Sequence, residues 1–510
     1  MMKQKVLLTG AAGGMGFKTF TELLKRTNIQ EVTAFVLDNE ANRLKMSQYE
    51  NTEGVRIWYG DFMNYKEALE VVKDVDLVLH TAALVSPYVD DTPELAMKIN
   101  IGLMHNLIKS IKEHGQETKT KVVFVGTVAQ TGDRMPPMHW GRIGDPLKTS
   151  VYDYYAVSKV AAERALVESG IKYWVSLRQT GIMGANMVNA MDPIIFHNCL
   201  NNVLEYVSDR DSGRLLGNLS AQNAMAELDE SFWGHMYNIG GGESCRVSTL
   251  DLYTVIFGEL GIKDLKYVID PKMFATTNFH GQYYLDSDRL EDLFHFRHDT
   301  MTYFYDLYLE DVGKFNQRMS QLICKFPGGQ FLMGKIIKKS FGKLALKNRG
   351  TIKFIKEDKT DEINAYWGSK KQWSLLPDNV NEFDVFNKWD QVVEVDHGYD
   401  ESKAEEELDL DMVKGAAVFR GGECKSLKMT KGDWISKLEF RCAFGHTFKA
   451  SPRLILEGGH WCPHCEKESW SYSDRAQVDP FFAQVWYPLH DESEPNLKVM
   501  KNSFGEDYNE

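Results

Sequence analysis

The stretch Val6-Leu7-Leu8-Thr9-Gly10-Ala11-Ala12-Gly13-Gly14-Met15-Gly16 decides the fold of this chain. A short apolar run ends in a threonine, closely spaced glycines follow, and Phe17–Arg26 then repeats its apolar residues at helical spacing. A strand that turns into a helix on small residues makes a corner suited to phosphate. A side chain at Gly10 or Gly13 would obstruct the turn or the approach of backbone to a pyrophosphate, and Gly16 lets helix pack on strand. The helix N-terminus offers free N–H groups and the positive end of its dipole to the anion. The pattern predicts a dinucleotide-binding βα unit at the start of the chain.

Working outward, Lys5–Leu8 reads as the first strand and Val32–Leu37 as the second. Asp38 ends that second strand, about 20 residues beyond the glycines, where a carboxylate can accept both adenosine ribose hydroxyls. Asn39 follows with no basic residue beside it, which favours NAD; Arg43 is near enough to keep NADP open. Val55–Tyr59, Leu77–His80, Val122–Val125 and Tyr173–Leu177 supply four more strands. Each is a short, nearly continuous apolar run, as in a parallel sheet covered on both faces. The reading is an α/β doubly wound parallel sheet.

Tyr155 and Lys159 lie four apart in Tyr154–Glu168, which reads as a helix, so both fall on one face. A phenol ionises near pH 10, and an adjacent ammonium is expected to lower it toward the working range. Tyr152 and Tyr154 lack that spacing to the lysine. Pairs of this kind also arise by chance, and the context must decide.

Together these residues resemble the extended short-chain dehydrogenase/reductase family, which includes NAD-dependent epimerases and dehydratases. The resemblance covers roughly residues 3–300. It rests on the glycine turn, Leu37-Asp38-Asn39, Gly60-Asp61-Phe62 and His80-Thr81-Ala82-Ala83, then Asn100 with Gly102 and Asn106. Tyr155-Ala156-Val157-Ser158-Lys159 and Tyr237-Asn238-Ile239-Gly240-Gly241-Gly242-Glu243 complete the order.

It implies a Rossmann-type sheet with a small substrate subdomain. It also implies a cofactor set of Gly10, Ala12, Gly13, Gly14, Met15, Gly16, Asp38, Asn39, Asp61, Phe62, Thr81, Ala82, Ala83, Asn100, Tyr155 and Lys159. In that set Asp61 and Phe62 lie along the adenine, Ala82 and Ala83 pass beside the cofactor, and Asn100 braces the active-site helix. Blander roles are a strand cap for Asp61 and a satisfied histidine for His80. Thr127 is implied as the hydroxyl that polarises the substrate carbonyl, with Thr131 as fallback. The Arg-Pro…Tyr-Gly-Pro stretch of relatives is here Leu177-Arg178-Gln179-Thr180-Gly181-Ile182-Met183-Gly184, without prolines or tyrosine. His139, Trp140 and Arg142 precede Tyr155 and either face the substrate or hold a loop.

Cys442-Ala443-Phe444-Gly445-His446 and Cys462-Pro463-His464-Cys465 carry metal-ligand spacing. They resemble treble-clef or zinc-ribbon modules, and Cys442, His446, Cys462 and Cys465 are the expected ligands of a closed, structural zinc site. Cys424 and His464 are reserves. Scattered cysteines and an odd count of seven argue against a disulfide framework.

With 510 residues, more than one core is expected. The expected division is 1–300 for the dinucleotide-binding catalytic domain, 301–415 for a helical and mixed connection, and 416–510 for the zinc module and tail. Phe331–Lys356 is basic with no acidic residue. It reads as an amphipathic helix packed by Met333, Ile337, Phe341 and Leu344, the alternatives being a membrane-surface helix or a lid. A formal charge of −13 argues against a dedicated nucleic-acid binder, and no targeting segment is read, so the expectation is a cytoplasmic protein. The family resemblance implies a homodimer by analogy.

The expected function is an NAD(P)-dependent oxidoreductase acting on a small alcohol or ketone, with Tyr155 as acid/base. The alternatives are a nucleotide-sugar epimerase or dehydratase and a non-catalytic dinucleotide sensor.

Overall fold

The computed structural model describes residues 3–86, 89, 92–188 and 192–497. Its centre is a seven-stranded, wholly parallel sheet. The strands are β1 (Gln4–Thr9), β2 (Gln30–Leu37), β3 (Val55–Gly60), β4 (Leu77–His80), β5 (Lys121–Thr127), β6 (Trp174–Gln179) and β7 (His235–Ile239). Their spatial order is β3-β2-β1-β4-β5-β6-β7. The order reverses between β1 and β4, where Thr9 pairs with His80, and the crevice at the C-terminal ends of these strands is where such sheets take ligands. Six strands fall where the apolar runs predict them. The seventh, β7, overlaps the start of the Tyr237–Glu243 motif and lies outside those runs.

Alternation along the strands feeds two cores. Val6, Leu8, Leu77, Leu79, Val123 and Val125 enter one, against Phe20 and Leu23 of α1 (Gly14–Leu24). Leu7, Val78, Val122 and Phe124 enter the other, against Met104 and Leu107 of α2 (Pro93–Glu113) and Leu166 of α3 (Tyr154–Val167). That second core does not end with the first 300 residues. Phe440, Phe448, Leu454, Ile455 and Trp461 of the C-terminal module belong to it. Burial on the order of 25 cal/mol per Å² makes this continuity a substantial stabilising contact.

Residues 301–344 are helical, in Met301–Val312, α4 (Lys314–Lys325) and α5 (Gly329–Leu344). Phe341 and Leu344 are buried in a third core beside Phe196, Phe257 and Phe274. The module near the C-terminus is built on a three-stranded antiparallel sheet, Glu423–Cys424, Leu438–Arg441 and Thr447–Ala450.

Candidate active site and metal cluster

The glycine turn closes as its residue types require. Gly10 has φ +73°, and a Cβ there would come within 2.8 Å of the Ala82 backbone. A Cβ on Gly16 would lie 2.1 Å from the Gly10 carbonyl oxygen. The Gly13 N–H donates to that carbonyl at 2.9 Å, and Gly14 and Met15 open α1. Thr81 donates its hydroxyl to the Thr9 carbonyl at 2.7 Å, which ties the two strand ends together. Ala12 presents its carbonyl to Lys45 Nζ at 2.9 Å, and Ala83 lines the same edge, half-buried. The cradle fits a dinucleotide pyrophosphate because only backbone occupies it.

Asp38 stands at the end of β2, but not alone. Arg43 Nε and Nη2 donate to its two carboxylate oxygens at 2.5 and 2.7 Å, and the guanidinium lies 4.5 Å over the Tyr59 ring. The pairing holds the Asp38 carboxyl below its ordinary range. Asn39 is turned away as the cap of the following helix, accepting from the Asn42 N–H at 2.8 Å. The carboxylate of Asp61 accepts from Met63 N–H at 2.9 Å, so it caps its own loop. Phe62 does not lie open along a crevice: its ring is buried in the core, edge-on to Phe35. Its large apolar ring is better satisfied there than beside a polar ligand edge, leaving only its backbone for that role.

Asn100 links three elements. Its carbonyl oxygen accepts from Leu84 N–H at 2.8 Å, and its amide donates to the Leu84 carbonyl at 3.0 Å and to the Ser158 hydroxyl at 2.9 Å. Ser158 donates onward to the Tyr155 carbonyl at 2.7 Å. Asn106 donates to the Phe62 and Met63 carbonyls, fixing the loop after β3.

Thr127 ends β5 and Tyr155 lies in the first turn of α3, and both line one cavity. Lys159 follows one turn later. Its Nζ donates to the Val125 carbonyl at 2.7 Å and lies 6.0 Å from the Tyr155 ring centre. The expected lowering of the phenol is not what this geometry gives. Burial pushes Tyr155 well above an ordinary phenol, Asp153 adds to this, and the nearby Thr127 hydroxyl opposes it. Burial holds Lys159 down to about 7, against the supporting charge of Glu163. The lysine spends its proton on a backbone carbonyl, so its charge is aimed away from the phenol. Thr131 is satisfied elsewhere, donating to the Val128 carbonyl at 2.9 Å. His80 is likewise a satisfied histidine, 2.9 Å from Thr9 Oγ1 and held neutral by burial and by Lys159.

Thr127, Tyr155, Val85 and Ser86 line a cavity of about 640 Å³. Part of its wall comes from far along the chain: Arg349, Lys353, Phe354 and Tyr366. Tyr152 also lines it, at φ +71°, and its buried hydroxyl has no partner among the described residues. His139, Trp140 and Arg142 do not line it. The His139 and Trp140 ring N–H groups each donate to the Trp389 carbonyl at 2.8 Å, and Arg142 grips Glu401 at 2.8 and 2.7 Å. They fasten the connecting region.

A buried ion cluster behind α3 escaped sequence reasoning. Glu163, one turn beyond Lys159, accepts from Ser176 at 2.5 Å, Arg178 at 2.6 Å and His460 Nε2 at 2.9 Å. Burial alone would raise Glu163; Arg178 and His460 more than offset it, and the carboxyl sits far below its ordinary value. Next to it, Arg164 donates to the Trp461 carbonyl at 2.7 Å and to Glu466 at 2.8 Å. The one signal in sequence was an acid at i+4 from Lys159 on the same helix.

Cys442, His446, Cys462 and Cys465 converge, with their ligand atoms all within 4.8 Å of one another. Cys442 and Cys465 sulfurs are 3.9 Å apart, and His446 Nδ1 is 3.4, 3.6 and 3.5 Å from Cys442, Cys462 and Cys465. A tetrahedral zinc with ordinary bond lengths requires edges of roughly 3.8 Å between sulfurs and roughly 3.6 Å from sulfur to nitrogen. The donor set fits. Cys424 is outside it, and the His464 ring lies tilted against His446 with ring centres 4.8 Å apart.

Fold and site together define a Rossmann-like domain, a seven-stranded parallel sheet with a glycine turn at its switch point. The sequence profile of the NAD dependent epimerase/dehydratase family matches residues 6–222. The chain is 28% identical to the UDP-N-acetylglucosamine 4,6-dehydratase (inverting) of Campylobacter jejuni over 114 residues, 22% of this chain and 34% of that protein. It is 27% identical to the D-erythronate dehydrogenase of Cupriavidus necator over 172 residues, 32% and 49% of the two. It thus spans a third to a half of these curated relatives. The dTDP-glucose 4,6-dehydratase of Streptomyces venezuelae, solved with NAD and TYD bound, superposes with a TM-score of 0.47 at 18% identity, covering 61% of this chain and 98% of that one.

Proposed function

We propose that this chain is an NAD-dependent oxidoreductase acting on an alcohol or ketone of small-molecule size. The observation that carries the reading is that Thr127 and Tyr155 line one cavity with Val85 and Ser86, which follow the Ala82–Ala83 edge of the crevice. Gly10 to Gly16 would hold the pyrophosphate and Asp38 the adenosine ribose, with Arg43 the group that admits a 2′-phosphate. NAD when bound supplies the hydride acceptor or donor. Thr127 and Tyr155 hold the substrate oxygen. Tyr155 gives its proton to a ketone oxygen as hydride arrives at carbon, or takes the alcohol proton as hydride leaves. With the phenol protonated at neutral pH, the resting arrangement is poised to donate; taking a proton calls for the Lys159 charge to swing from Val125 toward the phenol.

A second reading is an epimerase or dehydratase of nucleotide sugars, in which the same hydride is returned. Arg349 and Lys353 on the cavity wall favour it, since they supply cations for a diphosphate. Net formation or consumption of NADH separates the two readings. Cys442, His446, Cys462 and Cys465 hold a structural zinc, their four positions leaving no open coordination site. The division of the chain at about residues 300 and 415 stands as a proposal of function: cofactor chemistry first, cavity wall second, metal-stabilised support third.

The test is Tyr155→Phe in the full-length protein, with alcohols, ketones and nucleotide sugars screened by the near-ultraviolet absorbance of reduced nicotinamide. Turnover should fall on the order of 1,000-fold while cofactor titration changes less than about 2-fold. Unchanged turnover, or equal loss of both, would remove Tyr155 from the chemistry.

A further inference from the structure

α4 has its polarity inverted. The side that meets the protein is polar: Ser320 donates to the Leu260 carbonyl at 2.7 Å, and Gln321 and Gln317 reach the Glu259 carbonyl at 2.9 and 3.4 Å. The apolar side chains point outward instead. Phe315, Met319 and Leu322, spaced four and three apart, share one stripe, and Phe315 is 75% exposed. Phe326, 63% exposed, extends the stripe into the turn before α5. Phe331, Leu332 and Ile336 continue it there, although α5 buries Phe341 and Leu344 on its other side. Single exposed apolar residues are ordinary; a run of seven on one hairpin marks a surface that meets something apolar.

Charge identifies the class of partner. Residues 314–356 hold eleven lysines and arginines and no acidic residue, within a chain of net charge −13. Lys314, Arg318 and Lys325 flank the stripe on α4, and Lys335, Lys338 and Lys339 on α5. A second copy meeting this face about a two-fold axis would set one cationic surface against another. A bilayer carrying anionic lipids is apolar within and negative at its surface, which matches both features at once.

We propose that α4 and α5 form a membrane-docking hairpin that lies in the interface of an anionic bilayer. Phe315, Leu322, Phe326 and Phe331 enter the acyl boundary while the lysines extend to the headgroups. No helix among the described residues is long and apolar enough to cross a membrane, so the contact is interfacial. The chain leaving α5 runs into Asn348, Arg349 and Lys353 of the cavity wall, so docking and substrate entry share a segment.

The test is flotation of the full-length protein with phosphatidylcholine vesicles containing roughly one third phosphatidylserine, against phosphatidylcholine alone. The protein should float with the former and bind the latter at least about tenfold more weakly. Lys335→Glu, Lys338→Glu and Lys339→Glu together should weaken binding on the order of 100-fold. Phe315→Ser, Leu322→Ser and Phe331→Ser together should abolish it, with circular dichroism and cofactor titration unchanged. Failure of the unmodified protein to float overturns the proposal, as does full binding by either triple variant. A dimer in light scattering that the serine variant dissociates, without vesicle binding, would assign the face to a second copy instead.

Discussion

The glycine crevice and the C-terminal Cys/His cluster each bring a few groups into close, fixed geometry, by opposite means. At Gly10–Gly16 everything needed lies within seven residues and two strand ends, and the turn is specified by what cannot fit there. The module brings ligands from two loops 16 residues apart, and then reaches back across the molecule, so that His460 touches Glu163 on α3 and Arg164 holds Trp461 and Glu466. One site is local and nearly self-sufficient. The other is built into the support of the first, since Glu163 sits one turn from Lys159. The comparison teaches that a small C-terminal module can be part of the packing of α3 instead of an appendage.

Cys462→Ser should break that distinction most severely. Structural zinc contributes on the order of 10 kcal/mol to small modules, so metal content should fall and the module should unfold. If it is shared support, the whole chain melts earlier in one calorimetric transition; a separate early transition with an unmoved main one would return it to appendage status. Glu163→Ala tests the same link from the other side. Leaving Arg178 and His460 buried without their carboxylate should cost about 3–5 kcal/mol by denaturant unfolding. A cost near zero would mean the cluster is not coupled to the fold.

Lys159→Met sharpens the view from within the catalytic helix. A lysine held at about 7 when folded but 10.5 otherwise is destabilising when charged. Between those values the unfolded chain keeps the proton that the folded one has lost, so stability of the unmodified protein rises with pH there. The variant should therefore melt roughly 3 °C higher near neutral pH, and the gap should narrow toward pH 10 while turnover stays lost. A gap that widened would reverse the assignment. Asp38→Ala, at the crevice, is the mildest: NAD affinity should fall about tenfold and NADP affinity should hold or rise as Arg43 is released, read by cofactor titration. Equal losses for both would place the ribose elsewhere.

How much was legible follows from range. Tyr155 and Lys159 could be paired because a helix repeats every four residues, and six strands could be placed because each is a short apolar run. Phe62 was misleading for a related reason: its motif position says where its backbone runs, whereas the core decides where its ring goes. His139, Trp140 and Arg142, which precede Tyr155, read equally as substrate contacts or as loop anchors, and the partners that decide for anchoring, Trp389 and Glu401, are some 250 positions away. Nothing local could reveal them.

The glycine corner, the doubly wound sheet, the Tyr155/Lys159 spacing and the convergence of Cys442, His446, Cys462 and Cys465 were readable from the amino-acid order, because steric exclusion, helical repeat and close spacing all act over a few residues. Only the tertiary structure decided that residues 349–366 wall the cavity, that His460 compensates Glu163 and that α4 turns its apolar stripe outward. Those outcomes depend on which surfaces meet once the chain has folded, and on burial, which sets the protonation of Tyr155 and Lys159 more strongly than their spacing does.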